Sequence, residues 1–571
     1  MVGDILIHDA RELCWRRLGR PQAVLTTSDL AQIRPLLAEI ERRIEQEQFI
    51  AVGFLTYEAA PAFDPALITH PAQTLPLLWF GLYDSAELIT LPTSDHQYEI
   101  GNWHASIDAD QFHNDIAQIK SHIAKGETYQ VNHTFRLNAP FAGDPLSFFL
   151  DLQAAQNGLY GAYIDGGDWA ICSASPELFF TLDGTRLESR PMKGTAARGL
   201  SWQDDVTQID WLRRSEKNRA ENVMIVDMIR NDMGRIAEVG SVHVPSLFDV
   251  SRYPTVLQMT STVRAETNAS LGEIMAALFP CASITGAPKV RTMEIINELE
   301  QTPRGAYCGA IGMIRPNRQA QFNVAIRTVT IAGGSAEYGT GRGIVWDSEP
   351  ADEYRESLLK AQVLTTRRPP FSLLETMLAT NGAIWLLDEH LTRLANSAGY
   401  FDYPLDMDAL RLTLTGLAAS LKEHTKLRLL LARSGELTIE THPISETSGE
   451  PMRLGVATRP IQSTNPFLYH KTTIREMYTQ AETDAADVDD ILLYNERGEI
   501  TETTIANVLF YIEGAWVTPP IASGLLGGTL REHLLASGEI SEQIVRLDQL
   551  GRVEDVAVIN SVRGWRSATV V

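Results

Sequence analysis

The amino-acid sequence predicts an α+β protein built from more than one unit, and three observations carry that expectation. Segments with apolar residues at helical spacing alternate with short apolar or two-residue-periodic runs that read as strands. The 571 residues exceed what one hydrophobic core accommodates, and length alone suggests roughly three or four domain-sized units. The run Thr365-Thr366-Arg367-Arg368-Pro369-Pro370 reads as a linker, because a proline pair stops a helix amid polar residues and the pattern restarts beyond it. The expected division is 1–366, a linker at 367–370, and 371–571.

The elements follow in order. A Thr-Ser-Asp cap signal precedes Leu30, Ile33, Leu37, Ile40 and Ile44, with Pro35 expected to delay the start of the regular helix. Phe49 to Tyr57 reads as a buried strand. A helix is expected over Asp110–Lys125, stopped by Gly126. After it, Val131 and Phe135 alternate with Gln130, Asn132 and Thr134, a strand whose polar face suits a site. Ala170–Leu182 reads as a strand pair broken at Ser175-Pro176-Glu177, and Asp210–Val239 as one long helical stretch. Small residues at Ser283–Pro288 open another helix and offer amides to an anion. Strands are expected at Arg304–Ile314 and Gln321–Ile331, a glycine-rich segment at Gly339–Ile344, and a helix at Ala351–Val363. Beyond the linker, Asn381-Gly382 marks a hairpin, a helix holds His390 and Arg393, and further strands reach Tyr511.

Composition narrows the function. The 49 Lys+Arg against 72 Asp+Glu give a net charge of -23, which argues against a nucleic-acid or anionic-membrane partner and leaves room only for a local basic pocket. Cys14, Cys172, Cys281 and Cys308 form no CxxC or Cys/His cluster, so no zinc site is expected and a reducing cytoplasm fits. The N-terminal residues do not read as a signal peptide, and Leu75–Leu82 is too short to span a bilayer.

Several residues stand out for their chemistry. Lys193 lies in Arg190-Pro191-Met192-Lys193-Gly194-Thr195, where flanking arginines would favour the neutral, nucleophilic amine; the plainer reading is a solvated basic turn. Glu177 follows a proline and precedes Leu-Phe-Phe, so burial would raise its pKa toward that of a general acid; otherwise it is a strand-end carboxylate. Arg327 inside an apolar strand requires a carboxylate partner, from the protein or a ligand. Glu353 and Glu356, joined by a glutamate from elsewhere, suit a hard cation such as Mg²⁺.

The motifs together are more specific. GETYQVN, SPELFF, RPMKGT, EKNRAENVMIVDMIRND, SITGAPK, YCGAIG and GRGIVWDSEPADEYRES resemble the chorismate-utilising enzyme family, in its aminodeoxychorismate synthase component I branch. From Pro370 onward, EHLTRL, HKTT, GEITETTIAN, GLLGGTLR and NSVRGW resemble the fold type IV, branched-chain-aminotransferase-like enzymes, in their 4-amino-4-deoxychorismate lyase branch. The resemblance implies large antiparallel sheets covered by helices, followed by a two-subdomain α/β unit that binds pyridoxal 5'-phosphate. It implies that Lys193 attacks chorismate at C2, that Glu177 protonates the leaving C4 hydroxyl, and that ammonia then adds at C4. Glu221 and Glu356, with Glu353 alongside, would hold Mg²⁺. Arg327, Tyr307, Thr285 and the Gly341–Gly343 backbone would bind substrate. In the second half it makes Lys471 the cofactor lysine and acid/base, pairs Glu502 with the pyridine nitrogen, and gives the phosphate to Arg393, Ile505, Ala506 and Thr529. Asn560 and Arg563 would border the substrate.

On this reading the chain converts chorismate to 4-aminobenzoate for folate synthesis, with ammonia from a glutamine amidotransferase subunit and a dimer formed through the C-terminal half. Lys193, where anthranilate synthases carry alanine, and Gln130, where isochorismate synthases carry a lysine base, distinguish it from those relatives; Gln258 replaces a histidine common in the family. The rivals are an anthranilate synthase component fused to an aminotransferase, and a chorismate-binding scaffold without activity.

Overall fold

A computed structural model describes residues 3–365, 369–421, 423–444 and 449–571. Thr366, Arg367 and Arg368 of the expected linker lie outside the described residues. The chain divides into two compact units, one formed by 1–197 and 209–368, the other by 198–208 and 369–571.

In the first unit two antiparallel sheets stack face to face. One runs Gly286–Ala287, Gln130–Gly143, Ser335–Ile344, Thr328–Ala332, Trp169–Ser173, Ala162–Asp165, Ile5–Asp9, Cys14–Leu18 and Glu87–Ile89. The other runs Met192–Ala197, Val256–Glu266, Arg186–Arg190, Leu178–Asp183, Gln319–Val324, Ala310–Arg315, Ile50–Leu55, Leu78–Tyr83 and Ala23–Thr27. Ile5, Ile7, Ile164 and Ile171 of the first meet Val52, Phe54, Trp79 and Met313 of the second. Helices cover the outer faces: Ala109–Ala124 and Pro145–Gln156 on one side, Leu30–Glu47, Glu216–Gly234 and Leu271–Leu278 on the other. Strands buried on both faces need apolar residues at every position. Ile50–Leu55 accordingly reads as a continuous run rather than an alternation.

Helix Leu30–Glu47 is capped by Asp29, which accepts from the Ala31 amide at 2.9 Å, and buries Ile33, Leu37, Ile40 and Ile44. Pro35 lies inside it rather than delaying it, so the apolar stripe outweighs one missing amide. The 210–239 stretch resolves into two helices, Trp202–Arg214 and Glu216–Gly234, because Ser215 caps the second with its hydroxyl on the Asn218 amide. Gly339–Ile344 is not a loop. It belongs to strand Ser335–Ile344, paired with Gln130–Gly143 over ten residues.

Two of the passages from one sheet to the other carry candidate site residues. Trp169–Ser173 and Leu178–Asp183 are therefore not partners; Glu177 lies between them. Gln319–Val324 and Thr328–Ala332 likewise belong to different sheets, and Arg327 sits between them with φ +52 rather than inside a strand. The crossings run side by side, since the Ala174 amide donates to the Arg327 carbonyl and the Val324 amide to the Glu177 carbonyl, each at 3.1 Å.

A buried ionic cluster fixes the strand edge beside these crossings. Arg304 donates to Glu300 at 2.6 and 3.0 Å and to the carbonyls of Ile284 and Asn132 at 2.9 and 2.7 Å. Burial alone would raise the Glu300 carboxyl, but Arg304 and Arg136 outweigh it and hold the pKa at about 2.

The second unit contains a four-stranded antiparallel sheet, Ala383–Ile384, Leu373–Thr380, Thr425–Leu431 and Leu437–Pro443, packed on helices Leu387–Phe401 and Met407–Ser420. The Asn381-Gly382 turn has positive φ at both residues, as that hairpin requires. An eight-stranded mixed sheet follows, ordered Ile500–Thr503, Asp490–Tyr494, Met452–Val456, Gly564–Val570, Asp555–Asn560, Asn507–Ile512, Ala515–Thr518 and Ser541–Glu542. Parallel pairing occurs where Met452–Val456 meets its two neighbours. Among the described residues no helix is long and apolar enough to cross a membrane.

Replacing Arg304 by Met leaves Glu300 buried without its main partner and is expected to destabilise the protein by about 3–5 kcal/mol, measured as a lower denaturant midpoint. Because the folded pKa of Glu300 lies below its unfolded value, this stabilisation is present above the ordinary glutamate pKa and disappears as pH falls toward about 2.

Candidate active sites

In the first unit, strand Met192–Ala197 delivers Lys193 to the edge of its sheet. Part of Lys193 is accessible, yet enough protein surrounds the amine to desolvate it. Burial lowers its pKa; Glu221 and Glu177 oppose the shift and Arg342 adds to it. The expected cause, the flanking arginines, is not the operative one. Arg190 is directed to the hydroxyls of Ser251 and Thr260, and Arg198 to Asp205. The Lys193 amine donates to the Ser283 carbonyl at 3.4 Å, and Asn222 on helix Glu216–Gly234 donates to the Lys193 carbonyl at 3.3 Å.

Glu177 is buried, and burial pushes its pKa up to about 7 despite the nearby Ser283 and Lys193 and a 3.4 Å bond from the Met192 amide. A carboxyl in that range carries a proton at neutral pH part of the time, as a general acid must.

Two side chains meet where the strands approach closely. A Cβ built at Gly343 would lie 2.9 Å from both the Lys193 amine and the Gln130 amide nitrogen, so these groups converge over that glycine. The Gln130 side chain is fully buried and has no hydrogen-bond partner among the described residues. At Gly339 a Cβ would lie 2.2 Å from the Tyr307 ring. Arg327 meets no protein carboxylate among the described residues. It donates instead to the Lys360 carbonyl, and to the Tyr338 hydroxyl at 3.5 Å. Thr285 lies in the same region, but its hydroxyl donates to the Cys281 and Ala282 carbonyls. The Gly286-Ala287 backbone pairs with Gln130-Val131 as a short strand instead of forming a free anion loop.

The acidic residues are held by cations of the chain itself. Arg342 bonds Glu353 at 2.9 Å and also pairs with Glu356, while Lys360 lies 3.5 Å from Glu356 and donates to the Gly341 carbonyl at 3.2 Å. Among the described residues only Asp9, Glu12 and Cys14 bring three ligand-type atoms within 4.8 Å of one another, so Glu221, Glu353 and Glu356 do not converge as a set. Their hard oxygen donors suit Mg²⁺ in chemistry, with Arg342 supplying the compensating charge. Lys360 lies in the last turn of helix Pro350–Ala361. Its proximity to Arg342, Arg327 and Lys193 adds to burial in lowering its pKa well below the usual lysine value.

In the second unit, Lys471, Glu502, Arg393, Ile505, Ala506, Thr529, Asn560 and Arg563 all line one cavity of about 550 Å³. Burial, aided by Arg393, lowers the Lys471 amine to about 8. Burial raises Glu502 to about 7, against bonds from the Tyr478 hydroxyl at 2.8 Å and the Leu526 amide at 3.2 Å. The cavity wall where a phosphate is expected is occupied in part by its own bonds. Arg393 pairs with Glu375 at 2.6 and 2.9 Å and donates to the Gly527 carbonyl, while the Ile505 and Ala506 amides point to the Thr503 hydroxyl at 3.5 and 3.0 Å. Thr529 opens helix Thr529–Ser537 at the same end. Asn560 shapes the opposite rim, its side-chain oxygen accepting from the Val562 and Arg563 amides at 3.1 and 2.8 Å.

Comparison with known proteins bears on both halves. Residues 6–366, more than half of the chain, match the family described as chorismate binding enzyme. The chain belongs to that family. Residues 372–571 match amino-transferase class IV, a match that implies pyridoxal phosphate as the cofactor of the second half. This chorismate binding enzyme is 41% identical over 263 residues to aminodeoxychorismate synthase component 1 of Bacillus subtilis (strain 168), covering 46% of the chain and 56% of that protein. It is 40% identical over 261 residues to the protein of the same name from Escherichia coli (strain K12), covering 45% and 58%. The chain thus spans less than two thirds of the curated relatives it matches. The anthranilate synthase component I structure from Streptococcus pneumoniae TIGR4 shares the fold, with a TM-score of 0.53 at 24% identity over 64% of this chain and 90% of that one.

Two outcomes test the geometry. A methyl group at Gly343 meets both Gln130 and Lys193, so Gly343→Ala is expected to displace the amine and lower chorismate turnover by roughly 10²-fold, with an unchanged unfolding midpoint. An amine with a pKa of about 8 is half neutral at that pH. Acylation of Lys471, followed by peptide mass analysis without cofactor, should therefore reach half its limiting rate near pH 8 instead of rising until pH 10.

Proposed function

We propose that the chain makes 4-aminobenzoate from chorismate in two consecutive reactions, the first at Lys193 and the second at Lys471. The observation that carries the reading is the enclosed Lys193 amine beside the buried, readily protonated Glu177. That pair supplies a nucleophile and an acid within electrostatic reach of each other.

In the first reaction the neutral Lys193 amine forms a bond to C2 of chorismate. The ring double bond shifts, and the C4 hydroxyl leaves as water with the proton of Glu177. Ammonia then adds at C4, the double bond shifts back, and Lys193 is expelled. Arg327, left without a protein carboxylate, and the Gly341–Gly343 strand face the anionic substrate, and the unpartnered Gln130 amide is available to it. Glu221 and Glu356, with Glu353, would hold Mg²⁺ only on drawing closer than in this structure, where Arg342 pairs with Glu353 and Glu356; the cation would then offset carboxylate repulsion on binding.

In the second reaction Lys471, the Glu502 carboxyl and the Thr529 helix end would hold pyridoxal phosphate, which would supply an electron sink at the amino carbon. Lys471 would remove the proton at C4 and return one to the enolpyruvate that leaves C3, giving pyruvate and an aromatic ring. A cavity of about 550 Å³ accommodates cofactor and substrate together.

Ammonia arrives from outside the chain. Burial raises the thiols of Cys14, Cys172, Cys281 and Cys308, the last two to about 12 and 11. None of these thiols is poised as the thiolate that glutamine hydrolysis uses. A separate glutamine amidotransferase subunit fits this requirement, as does free ammonia at alkaline pH.

The test incubates purified protein with chorismate, ammonium, Mg²⁺ and pyridoxal phosphate and separates the products by chromatography. 4-Aminobenzoate and pyruvate are expected; anthranilate would overturn the assignment of Lys193. Lys193→Ala is expected to lower chorismate consumption by roughly 10³-fold or more. Lys471→Ala should preserve that consumption and accumulate an aminated, non-aromatic intermediate.

A further inference from the structure

Residues 198–208 follow the Lys193 strand in the chain yet pack within the second unit. Their contacts there are specific. The Arg198 guanidinium lies 4.2 Å from the centroid of the Tyr400 ring and donates to the Tyr400 carbonyl at 2.7 Å. Asp205, fully buried, accepts two bonds from Arg198 Nε at 2.8 and 2.9 Å, one from Nη2 at 2.6 Å, and one from the Gly199 amide at 2.8 Å. The Tyr400 hydroxyl returns a bond to the Gly199 carbonyl at 2.7 Å. Trp202 rests against Gly399 so closely that a Cβ there would lie 2.9 Å from the indole. Glycine in the last turn of helix Leu387–Phe401 makes room for the Trp202 ring.

These contacts continue to Lys471. The Tyr400 ring packs on His470, with centroids 4.3 Å apart, and Phe401 meets the same imidazole at 4.9 Å. His470 is buried, its Nδ1 lies 3.0 Å from the Ser397 hydroxyl, and burial together with Arg198 lowers its pKa to about 3. A neutral ring clamped on both sides fixes the residue immediately before Lys471. The Lys471 carbonyl is itself held by the Leu374 amide at 2.9 Å.

We propose that residues 198–205 form a strap that positions the Lys471 segment, with Arg198, Trp202 and Tyr400 acting as positioning residues for the second reaction. The family match for this half begins at residue 372, so the strap is a part of the site supplied from outside it. The proposal rests on the reading of Lys471 as the cofactor lysine.

The test compares Arg198→Ala and Gly399→Ala with the full-length wild type. Hydrogen exchange of peptides spanning 466–474 is followed without cofactor, and pyridoxal phosphate affinity is measured by fluorescence titration. Each variant is expected to exchange roughly tenfold faster in that segment and to bind cofactor roughly tenfold more weakly. Chorismate consumption should be retained, and Tyr400→Phe, which keeps the ring on His470, should show a smaller effect. Unchanged exchange in both variants would overturn the proposal. So would a rise spread evenly over the second unit, which would make the strap ordinary scaffolding. If the wild type fails to bind pyridoxal phosphate, the proposed function falls while the exchange measurement still decides the strap.

Discussion

Water stabilises an ammonium ion far better than protein does, and both candidate lysines are placed where that stabilisation is withdrawn. Lys193 and Lys471 are each surrounded by enough protein to favour the neutral amine. The same withdrawal acts in the opposite direction on Glu177 and Glu502, which it keeps protonated further into the neutral range. Amine and carboxyl thereby approach a common range from opposite sides. Nucleophile and acid can then coexist in their reactive forms near neutral pH, although in water their ordinary values lie about six units apart.

Charge is organised on a second scale. The chain carries a net -23, yet Lys193, Arg327 and Arg342 all lie near enough to Lys360 to lower its pKa. Crowding of cations is tolerable only with compensation. Glu353 and Glu356 supply it for Arg342, whereas Arg327 has only a carbonyl and a hydroxyl among the described residues. A deficit of this kind suits an anionic substrate drawn into an otherwise acidic protein.

The elements that could be read from the sequence were those whose pattern is local. Ile33, Leu37, Ile40 and Ile44 mark a helix on their own, and Asn381-Gly382 marks its hairpin. What could not be read depends on partners distant in the chain. Gly339–Ile344 looks like a loop because its glycines avoid collision with an opposing strand, and nothing within the segment names that strand. Arg327 looks like a strand residue because the passage between sheets leaves no composition signature. Lys193 stands out in the sequence for its flanking arginines, but its lowered pKa comes from burial, which those arginines do not reveal. The convergence of Gln130 with Lys193 over Gly343 was likewise hidden, since those residues come from different strands of the fold. In the second half the selected residues do line one cavity, while the bonds that occupy Arg393 and the Ile505-Ala506 amides were not legible.

The strap also has a consequence for the growing polypeptide. Arg198 and the Tyr400 carbonyl that it binds are 202 positions apart. At synthesis rates of about 5–20 residues per second, Arg198 leaves the ribosome roughly 10–40 s before its aromatic partner. Asp205, only 7 positions away, is already present, so the ion pair can close early and hold the segment in shape while it waits. The contact of Trp202 with Gly399, 197 positions further on, must by contrast wait until that helix has emerged.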